Sequence, residues 1–290
     1  MRIFLILLLF STSVFASGKT DVVATIYPQK YFIDKIAGGL VDVTVMVKPG
    51  ASPHNYEPTP KQMVVLSKAK IYFSIGVNFE TVWLDKFVSI NPNLKVVKTD
   101  KGIAKIPMVS HGHGSQLSDN DRENQTPDPH IWLSPPLVRV IIKSITDALV
   151  GIDPANRSVY ESNYKKFDKE ILELDRKIKS IFDGSVKKFM VFHPSFGYFA
   201  KAYGLVQIPV EIEGKEPKPK DLNRLINRAL KEKIKVIFVQ PQFSTRSANI
   251  IASAIGGKVV YVDPLAYEWS ENIIKIAQKF RSLRDVGSRD

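Results

Sequence analysis

The chain has 290 residues and no cysteine, which excludes both a disulfide framework and a lipid-modified cysteine. Lys and Arg outnumber Asp and Glu 41 to 29, for a formal charge of +12. The cations are interleaved with acids through amphipathic segments such as Lys165-Lys166 and Lys231 to Lys235, and no aromatic-basic RNA motif occurs, so nucleic acid is excluded as a partner.

Met1-Arg2 is a short positive start, Ile3 to Phe10 an unbroken apolar run, and Val14-Phe15-Ala16 a small-residue cleavage site. This pattern predicts a secretory signal over residues 1–16, too short to span a bilayer. The mature chain is expected to be periplasmic, without a lipid anchor or stable membrane insertion, and monomeric.

Beyond the signal, apolar runs that read as buried parallel strands alternate with helical patterns. Val22 to Ile26, Val43 to Val47 and Ile71 to Ile75 are the first three strands, with a helix around Lys30 to Ile36. Asp153-Pro154 then opens a long amphipathic helix, in which Tyr160, Tyr164, Phe167, Ile171, Leu174, Ile178 and Ile181 recur at steps of four and three. The scheme repeats after it. Lys188 to Phe192, Val206 to Val210, Val236 to Val239 and Val259 to Val262 read as strands, separated by helices at Pro219 to Glu232 and Ser247 to Ala254. The expected architecture is two α/β lobes with mainly parallel sheets, at residues 17–152 and 184–290, joined by one backbone helix at 153–183.

Three histidines and one aspartate stand next to prolines: Pro53-His54, Pro129-His130, His193-Pro194 and Asp263-Pro264. Proline stiffens a loop and so lowers the entropy lost when its neighbour is ordered around an ion. His54 follows the strand at Val43 to Val47 by a short turn, and His193 and Asp263 each end a strand. Open α/β sheets bind ligands just beyond the carboxyl ends of their strands, so the four are expected to converge in the cleft between lobes. Three imidazoles and one carboxylate suit four-coordinate Zn2+, whereas Mn2+ gains more from harder oxygen donors.

The runs Pro49 to Pro60, Asp128 to Ser134, Phe192 to Phe199 and Val262 to Leu265 resemble the signatures of the metal-binding proteins of ABC-type zinc and manganese importers, the cluster A-I (cluster 9) solute-binding family. Gly214 to Pro219 and Val239 to Ser244 are similar as well, and the likeness covers essentially the whole mature chain. It implies two α/β lobes on a single helix, an ion held between them, and delivery to the membrane permease of an ABC importer. Manganese and iron members typically carry glutamate where this chain has His193, which moves the expectation to zinc. A manganese- or iron-binding member is the alternative.

Several residues keep two readings. His111 and His113, in a Gly/Ser/Asn-rich stretch, are an accessory metal site or incidental surface histidines. Tyr56, Trp132 and Phe196 wall the site or pack the core, and Asp128 orients an imidazole or caps the segment that follows. Three histidines with an open fourth position would make a zinc-dependent hydrolase, but Asp263 closes that position and no His-Glu-x-x-His pattern supplies a base. The protein is therefore expected to bind and not to turn over. An adhesin on this fold would need an anchor that the cysteine-free signal does not provide.

Overall fold

A computed structural model describes residues 19–109, 126–182, 187–212 and 214–281. The expected signal and both His111 and His113 lie outside the described residues. In chain order the first lobe contains β1 (Thr20–Ala24), α1 (Tyr27–Ala37), β2 (Val41–Val45), α2 (Pro60–Leu66), β3 (Ile71–Ser74), α3 (Asn78–Ile90), β4 (Lys95–Lys98) and α4 (Pro135–Ile152). After α5 (Arg157–Ile181) come β5 (Lys187–Val191), α6 (Gly197–Tyr203), β6 (Leu205–Pro209), α7 (Pro219–Lys231), β7 (Val236–Val239), α8 (Arg246–Ala254), β8 (Lys258–Tyr261) and α9 (Trp269–Arg281).

The two sheets are parallel and share one topology, β2-β1-β3-β4 and β6-β5-β7-β8. Chain direction reverses between the first and third strand of each, which opens a crevice at the carboxyl edge. β1 and β2 pair from Thr20 and Val41, two residues ahead of the expected strands. The paired residues there include exposed Asp42 on an edge strand, which an apolar-run reading leaves out. β4 was absent from the expectation for the same reason: it is an edge strand with exposed Lys95 and Lys98 flanking Val96 and Val97, and such charges blunt a sheet edge.

The long helix is present but begins as a 3-10 turn at Pro154–Asn156 before α5 proper. Tyr160, Phe167, Ile171, Leu174 and Ile178 are buried on it, while Tyr164 and Ile181 are half-buried. It packs chiefly along α4, with α1 of the first lobe and α9 of the second on its flanks. Successive residues of the second sheet face opposite ways. Phe189, Val191, Val236 and Phe238 join one apolar core that runs through the spine into the first lobe, whereas Met190, Phe192, Ile237 and Val239 form a smaller core under α7 and α8. Among the described residues no helix is long and apolar enough to cross a membrane.

Two indoles stitch the lobes together close to the crevice. Trp132 Nε1 donates to the Pro264 carbonyl at 2.8 Å, and Trp269 Nε1 donates to the Trp132 carbonyl at 2.7 Å. Both rings are fully buried, so breaking either bond would strand a polar group in the core.

Candidate metal centre

Each candidate histidine reaches the crevice from a different loop. His54 sits beyond β2 in a turn where Ser52 Oγ accepts its N–H at 3.2 Å, and the Pro53 carbonyl accepts from Phe79 N at 3.0 Å, tying the turn to α3. His130 precedes a 3-10 turn at Ile131–Leu133 that leads into α4. His193 lies two residues past β5, held by Gln240, whose Oε1 accepts the His193 N–H at 3.2 Å and whose Nε2 donates to the His193 carbonyl at 2.6 Å. Its ring stacks on Phe243 with centroids 4.9 Å apart.

The three rings converge on their Nε2 atoms. His54 Nε2 is 3.2 Å from His193 Nε2, which is 3.3 Å from His130 Nε2. On the far side of two of the rings stands a carboxylate: Asp128 Oδ1 is 2.7 Å from His130 Nδ1, and Glu211 Oε1 is 2.9 Å from His193 Nδ1. A carboxylate accepting at Nδ1 fixes the proton there and turns the Nε2 lone pair into the crevice. Two lone pairs facing one another at 3.3 Å repel, and a cation between them removes the repulsion. Asp128 Oδ1 also accepts the His130 N–H at 2.9 Å, so one carboxylate both orients the ring and satisfies a backbone N–H just ahead of the 3-10 turn.

Burial reinforces the neutral state of His54 and His193. It pushes His54 down to about 3, helped by the adjacent imidazoles of His193 and His130. His193 is also lowered by burial, against the opposing effect of its hydrogen bond to Glu211. Imidazoles that resist protonation present their lone pairs to a metal.

The cavity against the rings measures about 20 Å³ and is lined by His54, His130, His193, Trp132, Gln242 and Phe243. It opens towards a wider cleft bounded by Asn55, Met108, Glu211 and Gly214. Trp132 thus belongs to the wall as well as to the core. Phe196 is buried in the large core, and Tyr56 is half-buried against it with its hydroxyl on Gln62.

Asp263 stands outside the group formed by the three histidines. Its Oδ1 accepts from Leu265 N at 2.9 Å and from Gln242 Nε2 at 3.3 Å, and it borders a neighbouring pocket with Lys48 and Tyr267. Glu211 was not foreseen. Its signal was nonetheless present, since it follows directly on the apolar run Val206 to Val210, as His193 and Asp263 follow theirs.

Residues 22–279 match the family described as zinc-uptake complex component A, periplasmic. The chain is 31% identical over 251 residues to the high-affinity zinc uptake system protein ZnuA of Bacillus subtilis (strain 168), covering 85% of this chain and 79% of that protein. A crystal structure of ZnuA superposes with a TM-score of 0.84 at 41% identity, covering 91% of this chain and 98% of that one. A zinc-bound deletion mutant of ZnuA gives a TM-score of 0.83 at 40% identity, with the same coverage of both chains. On sequence and fold together, the chain belongs to the family of periplasmic zinc-uptake components.

Proposed function

We propose that this protein captures Zn2+ in the periplasm through His54, His130 and His193 and delivers it to the permease of an ABC-type importer. The observation that carries this reading is the spacing of the three Nε2 atoms. Zinc–nitrogen bonds of about 2.0–2.1 Å in a tetrahedron place neighbouring donors roughly 3.3–3.4 Å apart, and the separations here are 3.2 and 3.3 Å. Asp263 supplies the fourth donor through Oδ2, since both of its hydrogen bonds fall on Oδ1.

The reading is of a carrier and not of a hydrolase. The space of about 20 Å³ against all three rings is of a size for a single ion, and the wider cleft lies outside it. Glu211, the acid beside His193, holds Nδ1 through Oε1 and so orients the ring that presents its Nε2 to the ion. The protein works as an exported monomer without a lipid anchor, its lobes divided at residues 152 and 184 by the connecting helix. Competition titration tests the assignment: one zinc per chain with manganese much weaker is expected. Manganese binding as tightly as zinc, or undiminished zinc affinity after His193→Ala, would refute it.

A further inference from the structure

Folding gathers cations that look dispersed along the chain. On α7 the positions Lys220, Asn223, Arg224, Asn227, Arg228 and Lys231 are all exposed and recur at alternating steps of three and one, so they share one face. That face holds four cations, two amides and no carboxylate. The opposite face carries buried Leu225 and Ala229, with Leu222 and Ile226 packed on the smaller core of the second lobe. The helix is thus pinned with its cationic side outward.

Among the described residues, ion pairs with nearby acids neutralise one of its four cations, Arg224. Between residues 214 and 235 the acids are Glu216, Asp221 and Glu232, against eight Lys and Arg. Asp221 pairs with Arg224, Glu216 accepts from Ser247, and Glu232 takes Lys188 from β5. No ion pair is formed by Lys220, Arg228 or Lys231 among the described residues. On the spine helix α5 three cations are matched, in the pairs Arg157–Glu161, Lys169–Glu173 and Lys179–Asp175, and the remaining ones are interleaved with acids along the helix. The outward face of α7 differs in that three unpaired cations stand on it with no carboxylate among them.

We propose that this face of α7 is a docking surface for an anionic phospholipid bilayer. Charge complementarity selects the occupant. Protein interfaces concentrate aromatic anchors at a centre depleted of charge, and the outward face of α7 has no aromatic residue. A stripe of cations extending about 16 Å along the helix, from Lys220 to Lys231, suits a surface of mobile anionic headgroups. The turn before α7 begins at Gly214, which with Glu211 borders the cleft over His193. Docking would therefore bring the mouth of the cleft to the edge of the membrane contact, where a membrane permease receives cargo.

The test uses sedimentation of the purified full chain with vesicles of phosphatidylglycerol and phosphatidylcholine in equal parts, and with phosphatidylcholine alone. Binding to the anionic vesicles only, weakened by salt, is expected. Each Lys or Arg at such a surface contributes about five-fold in affinity, so Lys220→Glu, Arg228→Glu and Lys231→Glu together should weaken binding by more than tenfold. Reversing Lys165, Lys166 and Lys169 on α5 removes the same charge and should weaken it far less. The glutamine triple at 220, 228 and 231 gives the same reading, with a smaller loss, if the glutamate triple fails to fold. Equal losses in the α5 and α7 variants, equal binding to phosphatidylcholine alone, or α7 variants that lose permease binding but keep vesicle binding would each overturn the proposal. Vesicle binding requires neither zinc nor permease, so its failure leaves the proposed function standing.

Discussion

His130 Nε2 and His193 Nε2 face each other at 3.3 Å, and each ring is backed at Nδ1 by its own buried carboxylate, Asp128 or Glu211. One remaining oxygen of each acid, Asp128 Oδ2 and Glu211 Oε2, is buried without a hydrogen-bond partner among the described residues. These acids are held at a cost that bound cation charge would offset. Replacing Glu211 by Ala frees the imidazole to change tautomer and rotate, and zinc affinity should fall by about 10–100-fold. Titration with a competing chelator measures it. Glu211→Gln tests charge separately from shape: affinity equal to wild type would reduce the acid to packing.

Gly197, the first residue of α6, bears on the same point from the other side. A Cβ placed there would lie 2.5 Å from Asp128 Oδ2 and 3.3 Å from the Ile106 side chain. Gly197→Ala should push Asp128 off His130 and so weaken zinc binding, while destabilising the fold by about 1–3 kcal/mol as overpacking typically does. Calorimetric unfolding with and without zinc separates the two effects. A variant as stable and as tight as wild type would show that Asp128 has room to move.

The imidazoles give the metal-free protein a defined acid response. His54 is lowered from its ordinary 6.5 to about 3 in the folded state. Between those values the unfolded chain binds more protons than the folded one, so stability is present in full above about 6.5 and is lost progressively as pH falls towards 3. Urea midpoints of metal-free protein should be lower at pH 4.5 than at pH 7.5 (conditions chosen at roughly the middle and outside of that window). His54→Gln should shrink the difference. An unchanged difference would assign the effect to other groups.

The segment containing His111 and His113 can be removed without disturbing the described site. Pro107 and Pro127 form an antiparallel bridge, and Met108 N donates to the Thr126 carbonyl at 2.9 Å, so the two ends already lie side by side. Joining residue 109 to residue 126 through a short glycine link should leave zinc affinity and thermal midpoint within error of wild type. Loss of tight binding would promote one of those histidines to a principal ligand.

Lobe motion should be small. The spine buries one continuous stripe in a core that crosses both lobes, and Trp132 and Trp269 bridge the lobes beside the site. Opening the cleft widely would break both indole bonds and expose that core. Solution scattering of metal-free and zinc-loaded protein should give nearly superimposable curves, with faster hydrogen exchange limited to the loops at His54, His130 and His193. A change in radius of gyration typical of a wide hinge would contradict the rigid spine.

Much of this was legible in the linear chain. Strands buried on both faces read as plain apolar runs, the stripe from Tyr160 to Ile178 declared the spine, and the three histidines stood out by residue type and by their place after strands or beside proline. These signals are local: each is written within a few residues, by periodicity or by the end of a run. What lay beyond reach depends on which loops meet. Glu211 lies 18 residues from His193 yet backs it because β5 and β6 are neighbours in one sheet. Asp263 lies two residues past β8 rather than at its end, Gln242 and Leu265 hold its Oδ1, and it stays outside the imidazole cluster. Edge strand β4 hid behind its lysines, and the cationic face of α7 emerged only once Glu216 and Glu232 were seen to turn to Ser247 and Lys188. Donor chemistry belongs to single residues and is carried by the sequence. Orientation, tautomer and charge balance belong to pairs of distant residues, and only the packed chain brings those pairs together.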